Sequence, residues 1–547
     1  MRIATTLLTL ISSTLAGPSA DAQSRPPFQH QFYEIAPQTS GGFGDFAKGL
    51  GDVDFDGFDD YGVSAPTFDH GAGLGRVYVY SGRTGVLLVT FDNDAYTSTH
   101  YGASLANVGD VDLDGRAEIA VGSYNYNGAA GNKTGRVRCY DGATGAVVWT
   151  LDGEQTFSNL GQTMGAINDT DGDGVRELVI SAPKFDTLTA ASAGKIYFVR
   201  GDSGVVFGFA DGPVAFKDLG TALATRPETG AVYAGTGLGA VYAIPIPVAG
   251  GVVPSLFIAQ PATANDDPGL ALINAGTAGS PKWSLLVGWA SADSGGFVNN
   301  GLVELWGGGA ASAAFSLTGS FTGEGLGRSV THVFDVDGDG REELGFTSSP
   351  AVFVTDYHVR STSGAVIDDV SRDHGNLVIS SIRDVSGDGR GELLTAIDSG
   401  VSLEFECTLF SRGLEIATSG LDGPGNYNAT FDVDCGGVNA GNGYLQVIGF
   451  SGSSPGFPNA QPGVPPVPMV PLNPDAYTLM FLPALNTPVT PNFLGVLDGQ
   501  GRATTTLFLP SSAMPVLSGL ELTTTAIAFD GSATMTAATN PWRIEFP

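Results

Sequence analysis

Short apolar runs rich in Val, Ile, Phe and Tyr recur along this chain, separated by clusters of Gly, Asp, Asn and Ser, a texture that predicts strands and turns and almost no helix. The runs return in a fixed order. One follows a Gly-led segment, one reads DYGVSAP, EIAVGSY or ELVISAP, one reads GRVYVYSG, GRVRCYDG or GKIYFVRG, and one reads GVLLVTF or GAVVWTL. Turns such as SGRTG and DGATG join the last two as a hairpin. Leading glycines fall at 44, 102, 161, 220, 269, 327 and 375, which divides residues 28–410 into seven units of four strands. A lone four-stranded unit cannot bury its faces, so the repeats predict an all-β fold, a seven-bladed β-propeller. The segment QFYEIAP at 31–37 stands where a preceding unit's outer strand would stand. It is therefore expected to pair with the last unit's third strand, around Val401 to Phe405, and close the ring.

Eight residues after most leading glycines, or nine in the last case, begins a loop of the form DxDxDGxx(D/E). The five copies are Asp52, Asp54, Asp56, Phe58 and Asp60; Asp110, Asp112, Asp114, Arg116 and Glu118; Asp169, Asp171, Asp173, Val175 and Glu177; Asp335, Asp337, Asp339, Arg341 and Glu343; and Asp384, Ser386, Asp388, Arg390 and Glu392, at positions 1, 3, 5, 7 and 9. Carboxylates at positions 1, 3, 5 and 9 can converge on one hard cation, the carbonyl of position 7 adds an oxygen, and Gly at position 6 permits the tight turn. About five Ca2+ ions are expected, the site with Ser386 being the weakest. An EF-hand would need a bidentate Glu at position 12 between helices, whereas position 12 is Val63, Val121, Ile180, Phe346 and Thr395, inside apolar strand runs. A single copy would read as a solvated Asp/Gly turn; five in register do not. Two units, led by Leu219-Gly220 and Pro268-Gly269, have lost the acids, with ATRPETG and AGTAGSPKW in their place.

The chain opens with an Arg, an apolar run and a small-x-small site at Ala20, Asp21 and Ala22, so residues 1–22 read as a secretory signal and the protein as secreted, without a membrane span. The formal net charge of -31 stays strongly acidic even with five divalent ions bound, which argues against a nucleic-acid partner. Cys139, in GRVRCYDG, reads as buried filler, and Cys407 with Cys435 is the possible disulfide pair. Residues 411–547 lack the loops, keep short strand runs around a Pro-rich excursion, and predict a C-terminal β-sandwich. No nucleophile, metalloprotease or phosphate-loop signature is present in the sequence. The six histidines are scattered, and with 25 Lys and Arg in the whole chain no basic cluster near a calcium loop is evident.

The order xG, DxDxDGxx(D/E), (I/V)(S/G)AP, GxVYxYxG resembles the FG-GAP repeats of the integrin α-subunit propeller over about residues 30–410. That resemblance implies seven blades with calcium in the inter-strand loops, of a secreted bacterial type. The chain departs from it in having five loops, Ser386, and no inserted von Willebrand-type domain. Arg200, Gly201 and Asp202 spell the tripeptide that integrins bind, but alignment with SGRTG and DGATG makes RGDSG a hairpin turn. Two functions follow: a monomeric, non-catalytic module binding extracellular protein or glycan with calcium as a structural cofactor, or a secreted carbohydrate-active enzyme, a polysaccharide lyase or hydrolase on a calcium-loop propeller. A basic funnel with a base near calcium would mark the second.

Overall fold

The computed structural model describes residues 29–35, 42–82, 86–94, 99–258, 268–276, 280–307, 312–335, 340–351, 354–372, 376–383, 391–398 and 405–411, and beyond these the strands 414–421, 427–434, 443–449, 494–496, 502–509, 521–529, 535–538 and 542–545. Everything regular among them is β-strand.

The chain is a β-propeller with six four-stranded sheets. The first holds Ala47–Gly51, Asp60–Asp69, Leu74–Tyr80 and Leu87–Asp92, and the second Tyr101–Gly109, Glu118–Ser123, Arg136–Tyr140 and Val147–Asp152. Next comes a five-stranded sheet of Met164–Ala166, Leu178–Ala182, Lys195–Val199 and Val206–Asp211, with Gly250–Val252 added in parallel at its edge. Four-stranded sheets starting at Leu223, Gly269, Val330 and Asn376 complete the series. The sheets starting at Leu223 and Gly269 are the two units whose acids are missing. First strands touch in a cycle: Ala47–Gly51 meets Tyr101–Gly109, the contact passes from sheet to sheet, and Asn376–Ile382 meets Ala47–Gly51 again.

The core lies between adjacent sheets. Val77, Val79 and Phe91 of the first sheet pack with Leu105, Ile119, Val121 and Tyr140 of the second, and Tyr61 and Val63 pack with Ile382 and Leu394 on the other side. Covered on both faces, second strands such as Glu118–Ser123 and Leu178–Ala182 are buried along their whole length, which explains their largely apolar sequences. Gly102 shows what the leading glycine does: its φ is +82°, and a Cβ there would sit 2.5 Å from the Ser64 Cβ of the preceding sheet. Conformation and close approach together demand Gly.

The strand Gln29–Ile35 is the outer strand of the last sheet, antiparallel to Phe405–Ser411. Its partners run from Gln29 opposite Ser411 to Ile35 opposite Glu406, so Phe32 to Ile35 face Leu409 to Glu406 and not the expected 401–405. The second strand of that sheet extends to Asp398, whose antiparallel partner is Phe405, so the third strand begins later than the apolar pattern suggested. Past residue 411, Leu414–Leu421, Tyr427–Asp434 and Arg502–Leu509 form one antiparallel sheet, and Gly443–Gly449, Leu494–Val496, Glu521–Phe529, Met535–Ala538 and Trp542–Glu545 form another. Residues 1–22 and Cys435 lie outside the described residues. Cys139 is a free, fully buried thiol held well above its ordinary pKa by that burial.

Candidate metal centres

Each acidic loop joins the first strand of a sheet to its second. Asp52 accepts backbone N–H groups from Asp56 at 3.1 Å and Gly57 at 2.9 Å, so the position-1 carboxylate wraps the loop around itself. Asp110 does the same with Asp114 and Gly115, Asp169 with Gly172 and Gly174, and Asp335 with Gly340. The turn puts both position 4 and position 6 at positive φ. Gly fills position 6 in each described loop, while position 4 is Phe55 at +55°, Leu113 at +63° and Gly172 at +84°.

Positions 1, 3 and 9 converge. One oxygen from each of Asp52, Asp54 and Asp60 lies within 4.8 Å of the others, and the same holds for Asp110, Asp112 and Glu118 and for Asp169, Asp171 and Glu177. Position 5 stands outside these three groups, although Asp114 comes within the same distance of Asp112; Asp56, Asp114 and Asp173 each also accept the N–H of the residue two places on, Phe58, Arg116 and Val175. In the fourth loop Asp337 and Asp339, and in the fifth Asp384, Ser386, Asp388 and Arg390, lie outside the described residues; Glu343 and Glu392 are buried at their strand starts like the other position-9 acids, and Arg341 is exposed.

The position-9 acid ties the loop to the blade. Asp60 accepts from the Val53 N–H at 2.8 Å and from the Gly82 N–H at 3.0 Å, which joins the loop's start to the hairpin after the third strand. Glu118 accepts from the Val111 N–H and Glu177 from the Thr170 N–H. Burial, then the charges of Asp54 and Asp56, pushes Asp60 up to about 8; burial, then Asp112 and Asp110, pushes Glu118 up to about 7. Buried carboxylates that neighbouring carboxylates drive toward protonation fit a hard divalent cation, which reverses the electrostatics and takes oxygen donors only. Loops of adjacent sheets are also linked: the Ala117 N–H donates to the Val53 carbonyl at 2.8 Å, the Gly391 N–H to the Asp335 carbonyl at 3.1 Å, and Arg116 lies 3.6 Å from Asp54.

Two residues at these loops are absent from the DxDxDG pattern. The hairpin after each third strand starts with Ser81, Asp141 or Arg200, over the loop of its own sheet. Asp141 brings a further carboxylate to Asp112 and Asp114. Arg200 inserts a guanidinium into the third loop, 2.9 Å from Asp171 and 2.7 Å from Glu177. Arg200, Gly201 and Asp202 do form the hairpin turn, closed by the Gly204 N–H on the Arg200 carbonyl at 2.9 Å. Aligning GRVRCYDG with GKIYFVRG beside the loops would have exposed both residues.

A basic cluster does exist near the loops: Lys48, Arg176, Arg226 and Arg383 line a cavity on the propeller axis together with His332. Its members come from five different sheets, so no local motif could show it.

No protein-family model matches the chain. A stretch of 88 residues is 35% identical to integrin alpha-4 of Xenopus laevis, covering 15% of this chain and 8% of that protein. A stretch of 147 residues is 32% identical to the phosphatidylinositol-glycan-specific phospholipase D of Mus musculus, and one of 149 residues is 32% identical to that of Rattus norvegicus, each covering 24% of this chain and 17% of the relative. The chain thus spans less than a fifth of the length of these curated relatives. Among solved structures, BBS1N in complex with ARL6DN superposes on 71% of this chain and 98% of its own with a TM-score of 0.44 and 11% identity. The partial likeness to integrin alpha-4 and the sheet topology together support an integrin-like β-propeller.

Proposed function

We propose that this chain is a secreted, calcium-binding propeller of FG-GAP type that acts as a binding or adhesion module for extracellular protein or glycan, with calcium in a structural role. The observation that carries the reading is the convergence of positions 1, 3 and 9 in three consecutive loops on one side of the ring. In this reading the propeller has seven blades: the five-stranded sheet is the third blade with Gly250–Val252 attached, and Gln29–Ile35 fastens the seventh. The two sheets after residue 411 form a β-sandwich, and residues 1–22 are removed on export. Asp52, Asp54 and Asp60, with their counterparts in the second and third loops, hold the ions.

Calcium here draws each loop onto its position-9 acid and so fixes the second strand and the hairpin of that blade. An ion that binds only the folded form stabilises it by mass action, and extracellular sites of this kind work at roughly 10⁻⁴ to 10⁻³ M. Thermal unfolding in calcium and in EDTA tests the reading: calcium should raise Tm, and Asp54→Ala or Asp171→Ala should remove part of the gain, because the other loops still bind. A Tm indifferent to calcium would defeat it. A second reading, cleavage of an acidic polysaccharide, is favoured by the basic residues on the axis. It predicts turnover of such a polymer that one loop substitution abolishes with little change in Tm.

A further inference from the structure

The cavity on the axis has a volume of about 290 Å3 and takes its wall from first strands all round the ring. That is the low end of the range for small-molecule sites. Its charge is opposite to that of the chain. The protein has 56 acids to 25 Lys and Arg, yet four cationic side chains line this cavity against Asp59 and Glu228.

The cations are not equally engaged. Arg226 is committed, with Glu342 at 2.6 Å and Glu228 at 3.5 Å, and its guanidinium lies 4.8 Å from the centroid of the Trp283 ring. Arg383 reaches Glu228 at 3.3 Å and Asp59 only at 3.8 Å, and its side chain is 57% exposed at the mouth. Lys48 donates to the Leu105 carbonyl at 2.9 Å, and neither it nor the exposed Arg176 makes an ion pair among the described residues. Desolvation brings the amine of the half-buried Lys48 down to about 8, the direction expected of an ammonium lacking a counter-ion. His332 stands among these cations, and burial, then the charge of Arg226, brings it down to about 3. Its neutral ring, with no hydrogen bond to its nitrogens among the described residues, can donate to a ligand from one and accept at the other.

We propose that the axial cavity binds a small ligand carrying one oxyanion group, a carboxylate or a phosphate, on a body about the size of a monosaccharide. Lys48 and Arg383 are the charge partners, and His332 bonds the ligand's polar edge. The two cations enter from different blades, so a bound anion bridges the first and last sheets across the ring closure. The proposal rests on the cavity alone and not on calcium in the loops.

Calorimetric titration of the full chain at fixed calcium tests it, with glucuronate, glucose 6-phosphate and glucose as probes. At least one anionic probe should bind and glucose should not; glucuronate alone identifies a carboxylate site, glucose 6-phosphate alone a phosphate site. Lys48→Met and Arg383→Gln should each weaken the binding at least about tenfold, with the charge-keeping Lys48→Arg retaining more than Lys48→Met. Arg383 projects from the mouth, so Arg383→Gln keeps the test decisive should Lys48→Met unfold. Silence of all three probes, binding of glucose equal to the anions, or an unchanged affinity in Arg383→Gln overturns the proposal. Calcium titration of the same samples reports the loops separately, so failure here leaves that reading standing or falling by itself.

Discussion

Arg200 makes the third loop a sharp test of how these sites work. Its guanidinium lies 2.9 Å from Asp171 and 2.7 Å from Glu177, where a divalent cation would need to approach the same oxygens. Two unit charges 4 Å apart in water interact by about 1 kcal/mol, so a monovalent side chain opposes a divalent ion by about 2 kcal/mol. The aqueous value is the appropriate one because Asp171 is 37% exposed. Since about 1.4 kcal/mol is a factor of ten, Arg200→Ser, which copies Ser81 of the first sheet, should tighten the third calcium site by roughly 30-fold. The same change should act oppositely on the metal-free protein. It leaves the Glu177 carboxyl, only 2% exposed, without its guanidinium, a loss of about 1–3 kcal/mol. Calorimetric calcium titration and thermal unfolding in EDTA measure the two effects. The expected result is one tighter site at unchanged stoichiometry, a lower Tm in EDTA and a recovered Tm in calcium, with Asp171→Ala in the same background cancelling the gain. An isotherm identical to wild type would refute the reasoning.

Asp141→Ser should do the reverse, weakening the second calcium site while raising Tm in EDTA, because it removes a carboxylate crowded against Asp112 and Asp114; equal Tm values in EDTA would count against it. The metal-free protein should lose stability from about pH 4 to about pH 8, as monitored by Tm in EDTA. The folded pKa values of about 8 for Asp60 and about 7 for Glu118 lie above their ordinary 3.8 and 4.5, so stability is full below the ordinary values and is lost as pH rises through the folded ones. Saturating calcium should flatten that slope, and a flat profile in EDTA would refute the assignment. Trp149→Ala should cost about 3–5 kcal/mol in chemical denaturation, since the indole is buried between the second and third sheets and donates to the Gly201 carbonyl at 2.7 Å; a loss below about 1 kcal/mol would mean this contact between sheets is dispensable.

What the sequence disclosed was whatever repeats. The Gly-led segments, the apolar second strands and the DxDxDG loops recur at fixed spacing, so strand order, the two sheets without acids and the closing strand Gln29–Ile35 were all legible. Positions 1, 3 and 9 followed from the loop alone. Less legible was where the position-5 acids Asp56 and Asp173 lie, outside those groups and accepting the next-but-one N–H, a local competition that spacing does not resolve. Asp141 and Arg200 were hidden for another reason: they reach the loops from a hairpin two strands away, and their identities differ from sheet to sheet. Least legible was the axial cavity, where Lys48, Arg226, His332 and Arg383 meet only because the ring closes. The exposed Phe55 and Leu113 at positive φ have no counterpart in the pattern, and nothing in the structure explains why these two loops carry bulky side chains where the third has Gly172.

Anomalous diffraction from crystals grown in calcium reads the metal content of each loop directly. Calcium peaks are expected within bonding distance of Asp52, Asp54 and Asp60 and of Asp110, Asp112 and Glu118, with a third peak at Asp169, Asp171 and Glu177 that strengthens in Arg200→Ser. Loops that bind no metal at saturating calcium, with Asp60 and Glu118 still buried on their backbone N–H partners, would contradict that expectation.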